Sequence, residues 1–330
     1  MNKTLVAKFR NTFKTQVSLI LVLALVAAQS ACDRTPAIEL ANLGMVTGQA
    51  LTEYYESLVN DTNDTWDMEL FWVALIKKQN SASGRGIDPN FDDEDIKLLK
   101  GRIDQLNSRV KMAKQMRTMY TELKDYASYD AGASVEIAAK NLSSALTGLI
   151  PVPGVNAAGI IGAIAGDLER FSQIKDLKEK IKISKKLMDS LNELFEKEES
   201  AYALIAQENN VTATAIAQSL IENEMVLPWG LLDKIPTTFG VKWVSKTITD
   251  PPKDDDLKKG FIAIIKRRND HLNDAAKSAA ENLGEAIKDL AAAHAKYLEK
   301  KPIDLSNVAS LLGRAKFYLG EIQKLKQASE

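Results

Sequence analysis

Apolar residues recur at alternating steps of three and four along most of this chain, the spacing of one face of an α-helix. The nine prolines all fall between such stretches, never inside one, so they act as punctuation. The first stretch opens at Thr35-Pro36, with Thr as a capping acceptor and Pro at the first helical position, and runs to about Lys78. An interruption is expected at residues 60–65, where Asn, Asp and Thr cluster and compete for their own backbone. Residues 81–89 (SASGRGIDP) read as a loop. A second helix begins near Asp92. Its seam is Ile96, Leu99, Ile103, Leu106, Val110 and Ala113, then, after one short step, Met116, Tyr120, Leu123 and Ala127.

Residues 141–166 carry no charge, with Lys140 and Asp167 closing the run at either end. Pro151-Val152-Pro153-Gly154 in its middle forces a turn, so the run predicts an apolar hairpin tip. Beyond it, residues 155–207 read as one helix of roughly 50 residues, about 75–80 Å long. Its seam runs Ile174, Leu177, Ile181, Ser184, Met188, Leu191, Phe195, Glu198, Tyr202, Ile205, with polar side chains at two positions. Asn209-Asn210 is expected to end it, and a shorter helix follows to about Met225. Residues 227–253 do not read as helix. Residues 241–249 alternate like a short strand, and Trp229, Phe239 and Trp243 add aromatic weight, so this excursion is expected either to cap the bundle or to form a partner-binding loop. Helical periodicity resumes at Asp254 and continues to about Lys300 through Phe261, Ile265, Leu272, Ala276, Ala279, Leu283, Ile287 and Leu290. Pro302 is expected to start the last helix, with Leu305, Val308, Leu312, Ala315, Leu319 and Ile322 inward. The pattern predicts an all-α, elongated bundle of long, coiled-coil-like helices, with an apolar helical hairpin and one non-helical excursion. No internal repeat is evident.

The N-terminus adds a location. The first 31 residues hold four basic side chains and no acid, and residues 17–28 (VSLILVLALVAA) form an apolar run too short to span a bilayer but right for a signal-peptide core. Ser30-Ala31-Cys32 after that run resembles the cleavage box of bacterial lipoproteins, although Gln29 stands where Leu is usual. The resemblance implies diacylation of Cys32, the only cysteine in the chain, as residue one of the mature protein. In enterobacterial lipoprotein sorting, an Asp at the position of Asp33 implies retention at the inner membrane. Residues 1–31 are thus read as signal peptide, 32–35 as a lipidated tether and 36–330 as one elongated domain in the bacterial envelope. Ordinary secretion and an uncleaved anchor are the alternatives. Without the leader, 39 basic side chains face 44 acidic ones, a net charge of −5 that disfavours a nucleic-acid partner.

Catalytic chemistry finds little support. His271 and His294 lie about 140° apart around one helix and cannot share a metal. The acids from Asp88 to Asp95 fail the calcium-loop pattern, with Asp93 where Gly is needed and Leu99 where Glu is needed. No nucleophile elbow, phosphate loop or His-Glu-x-x-His is present. No enzyme activity, cofactor or metal is expected. The lysines between Lys175 and Lys186 read as a solvated helix face, or else as a contact for anionic lipid.

The hairpin allows two readings. Ala158, Gly162 and Gly166 recur every fourth residue, which suits close helix packing. On that account Leu149, Ile150, Pro151, Pro153, Gly154, Ile160, Ile161, Gly162, Ile164 and Gly166 form a buried corner. The other reading takes the same residues as a membrane-contacting tip, because the layout is similar to that of α-helical pore-forming toxins of the cytolysin A and haemolysin BL kind. The preferred expectation is a lipid-anchored module that binds another envelope protein or a second copy of itself.

Overall fold

The computed structural model describes residues 34–83, 93–129, 132–152, 156–171, 173–226, 228 and 251–327. Among them are seven helices and no strand: α1 (Thr35–Ser83), α2 (Asp93–Tyr129), α3 (Gly132–Thr147), α4 (Ala158–Phe171), α5 (Leu177–Glu222), α6 (Asp255–Leu298) and α7 (Ser306–Gln327). The 49 residues of α1 span about 74 Å at 1.5 Å per residue, so the bundle is elongated.

Neighbouring helices are antiparallel where short connections join them. Lys114 of α2 reaches Glu56 of α1 at 2.7 Å, and Arg117 bonds Gln49. The approach is close because of Gly44 and Gly48: a Cβ added at Gly48 would sit 2.8 Å from the backbone nitrogen of Arg117, and one at Gly44 would enter the ring of Tyr120. α5 runs parallel to α1 and antiparallel to α6. The inward seam of α5 is as its periodicity predicts, from Ile181 to Ile205, with the polar members Ser184 and Glu198 fully buried. α3 and α4 form the apolar hairpin, Ser143 Oγ donating to the Ala165 carbonyl at 3.3 Å. The hairpin covers α2 and α5, whereas α7 covers α6 and part of α1.

Four boundaries differ from the sequence pattern. Residues 60–65 do not interrupt α1, because Thr62 and Thr65 turn their hydroxyls back to the carbonyls of Leu58 and Asp61, at 2.9 and 2.8 Å. Asn209-Asn210 do not end α5, since both amides find partners on neighbouring helices, as described below. The single helix expected over 155–207 is two, α4 and α5. Asp176 caps the second by accepting from the Glu179 amide at 3.1 Å, and Lys180 Nζ closes the first by donating to the Phe171 carbonyl at 3.1 Å. The last helix starts at Ser306 rather than Pro302, with Asp304 Oδ1 accepting from the Ser306 amide at 2.9 Å.

Candidate functional site

Cys32 and Asp33 lie outside the described residues, as do Pro153, Gly154, Trp229, Phe239 and Trp243. What the fold gives is where those segments attach. α1 begins at Thr35, so Cys32 precedes it by three residues. At the other end of the rod, α5 ends and α6 begins side by side, Lys258 Nζ meeting Glu224 at 2.9 Å and the Glu222 carbonyl at 3.4 Å. The segment between them therefore leaves and re-enters the bundle at the end opposite to the start of α1.

The hairpin is packed along the flank of the rod. Leu149, Ile164, Ala165 and Leu168 are buried, and Ile160 and Ile161 are half-buried against the core. Ile150 and Pro151 face outward, yet their backbone is held: Arg109 Nη1 donates to the Ile150 carbonyl, Gln105 Nε2 to that of Pro151, and the Ile150 amide to Ser108 Oγ at 3.4 Å. The small-residue face does not pack as expected. Ala158, Gly162 and Gly166 are exposed, and a Cβ at either glycine would meet open space. The close approach that the spacing suggested occurs instead at Gly44 and Gly48.

Arg109 is the hub of this region. Its guanidinium is buried and grips Glu198 of α5, Nη2 to Oε1 at 2.5 Å and Nε to Oε2 at 3.3 Å. Tyr202 donates its hydroxyl to the same carboxylate, with Tyr55 of α1 beside it. Burial opposes the charge on Arg109, but the bonds and the negative charge of Glu198 outweigh it and raise its pKa. Burial raises the Tyr55 and Tyr202 phenols, keeping both protonated. One cluster thus joins α1, α2, α5 and the hairpin tip. Glu198 was legible as a polar interruption of an apolar seam. Arg109, next to Val110 on the second seam, carried no such signal.

A second polar cluster crosses the rod nearer the far end. Asn209 Nδ2 donates to the Asp61 carbonyl at 2.8 Å and to Thr65 Oγ1 at 3.3 Å, while Asn210 Nδ2 reaches Asn273 Oδ1 at 2.5 Å. Asn269 Nδ2 donates to the Asn210 carbonyl at 3.0 Å and to Thr214. On the surface beside it, Val211, Thr214, Gln218, Lys266, Asn269 and Asp270 line a shallow groove of about 310 Å³. It is open to solvent and carries no cluster of charge, so it has the form of a helix–helix crevice rather than a substrate cleft.

His294 is fully buried. Its Nδ1 lies 2.7 Å from the Leu290 carbonyl, which can only accept, so Nδ1 carries the proton and Nε2 faces the Tyr120 hydroxyl at 3.4 Å. Burial lowers its pKa to about 4. His271 is exposed on the same helix. Lys180 departs from the solvated face expected of its neighbours: it is buried, with Nζ 4.5 Å from the Phe171 ring centre and 5.2 Å from that of Tyr126. Burial lowers its pKa, partly opposed by Glu136. Among the described residues, no group of three His, Cys, Asp or Glu is placed to hold a metal, and no helix is long and apolar enough to cross a membrane.

No family model, curated protein or solved structure matches this chain.

Proposed function

We propose that this chain is an exported, lipid-anchored helical rod of the bacterial envelope, acting as a binding or bracing module rather than as a catalyst. The observation that carries the reading is the position of Cys32 relative to α1. Acyl chains on that cysteine would tie one end of the bundle to a bilayer within three residues of its longest helix. The opposite end, where α5 gives way to α6, would stand up to about 70 Å from the lipid at 1.5 Å per helical residue. A bundle braced by the buried ion pair of Arg109 on α2 with Glu198 on α5 suits a part that must hold distance. The partner is an envelope protein or a second copy of the chain, met away from the anchoring membrane.

The reach of the rod tests this reading. Lipidated protein is placed on a bilayer holding an acceptor dye, with donors on Asn223→Cys or on Lys301→Cys in separate samples. Lys301 lies at the anchored end, so energy transfer is expected to be strong there and weak from position 223. Equal transfer from both means that the rod lies flat and sets no distance.

The second reading, insertion of the hairpin, draws on its outer surface, which exposes no charge over the described part of residues 141–166. Insertion requires Ile150 and Pro151 to leave Arg109 and Gln105. Release of dye from liposomes by the wild type, abolished by Ile150→Asp at the exposed tip, would favour it over the rod.

A further inference from the structure

The contiguous core does not run the length of the bundle. Its last buried members are Leu58 on α1, Leu106 on α2, Ala206 on α5 and Ala275 on α6. Beyond them comes the amide layer: Asp61, Thr62 and Thr65 on α1, Asn209 and Asn210 on α5, all buried, with Asn273 supplied by α6. Past that layer only Leu75, Leu99, Ile216, Ile221 and Phe261 are buried apolar side chains among the described residues of these four helices.

We infer that the rod consists of two cooperative units divided at this layer, and that its far third opens while the anchored core stays folded. Ordering a residue costs about as much conformational entropy in either unit, roughly 1–2 kcal/mol for its backbone, but apolar burial offsets it far less beyond the layer. The apolar content is not lacking there. α1 carries seven uncharged residues in a row, LFWVALI at residues 70–76, of which Leu75 alone is buried. Six of the ten exposed large hydrophobic residues among those described belong to this end, including Leu70, Phe71 and Leu98. The described part of the hairpin tip meets α2 at Gln105, Pro151 accepting its bond, and α7 sets out from the opposite end, where Asn307 bonds Asp289. The amide layer joins the two units through directional bonds that water replaces at little net cost, about 1 kcal/mol each. An apolar layer in that place would couple them into one. Opening of this kind, smaller than global unfolding, is how structures with uneven burial lose order.

Native-state hydrogen exchange of the full chain tests the inference, followed by mass spectrometry at several low denaturant concentrations. Amides at residues 66–78, 211–222 and 257–268 are expected to exchange at least tenfold faster than those of the α1, α5 and α6 core, with a weaker denaturant dependence. Asn210→Leu with Asn273→Leu replaces both partners of the α5–α6 bond by an apolar contact and is expected to slow exchange at the far end towards core values. Equal protection on both sides of the layer in the wild type overturns the proposal whatever the variant does. So does a variant that folds and leaves the difference unchanged.

Discussion

Arg109 and Glu198 stand 89 residues apart in the chain and 2.5 Å apart in the bundle, with both side chains sealed from solvent. A buried ion pair of this kind is costly to desolvate, and its main effect is to make any arrangement that separates the charges much worse. Here it fixes the alignment of α2 against α5, and through the Ile150 carbonyl it fixes where the hairpin tip comes to rest.

Breaking the pair from one side leaves a buried charge alone. Arg109→Met or Glu198→Leu is expected to cost about 3–5 kcal/mol in a urea unfolding titration. The two together are expected to cost less than the sum of the singles, because neither charge is then stranded. Additive losses would mean that the two side chains are not coupled.

The glycines divide by what a methyl group would meet. Gly48→Ala drives a Cβ against the backbone of Arg117, which cannot give way, so the expected loss is about 1–3 kcal/mol despite the better helix propensity of Ala. Gly162→Ala and Gly166→Ala meet open space and are expected to stabilise α4 by up to about 1 kcal/mol each. Thermal unfolding of the three variants orders them. A stabilised Gly48→Ala would contradict the close α1–α2 contact.

His294 gives the chain an acid sensitivity. Its pKa is depressed in the folded state to about 4 from an ordinary 6.5, so the unfolded chain takes up the proton first. The stability that depends on a neutral imidazole is complete above about pH 6.5 and is lost progressively as the pH falls towards 4. The loss over that window is about 3 kcal/mol. Denaturant unfolding at pH 7.5 and 4.5 is expected to show that difference in the wild type and not in His294→Gln, once the loss common to both is subtracted. Identical pH slopes would mean that His294 is not sealed from water. Asp189 and Lys185 act on the ring with opposite signs and leave burial as the governing cause.

The helices themselves were legible because burial follows period. The seam from Ile181 to Ile205 needed only the three-four spacing, and its two polar members, Ser184 and Glu198, proved to be buried features of the core. The errors came where a local preference met a distant partner. Residues 60–65 and Asn209-Asn210 each look like helix breaks in isolation. In the fold they face one another, and Asn209 satisfies the Asp61 carbonyl and Thr65 across the rod. Such pairing over 148 residues leaves no trace in either stretch alone. The break between α4 and α5 did leave one: Asp176 followed three residues later by Glu179 is a capping pattern, although no proline or glycine marks the site. The hairpin was visible as an uncharged run, but which of its faces packs was not, since Ala158, Gly162 and Gly166 have the spacing of a packed stripe without a helix opposite them.

Everything proposed about the role of the rod starts from an anchor at Cys32. Cells expressing the full chain are grown with a radioactive fatty acid, and the protein is isolated and counted beside its Cys32→Ser variant. Label is expected on the wild type and none on the variant; an unlabelled wild type, or equal label on both, would remove the anchor.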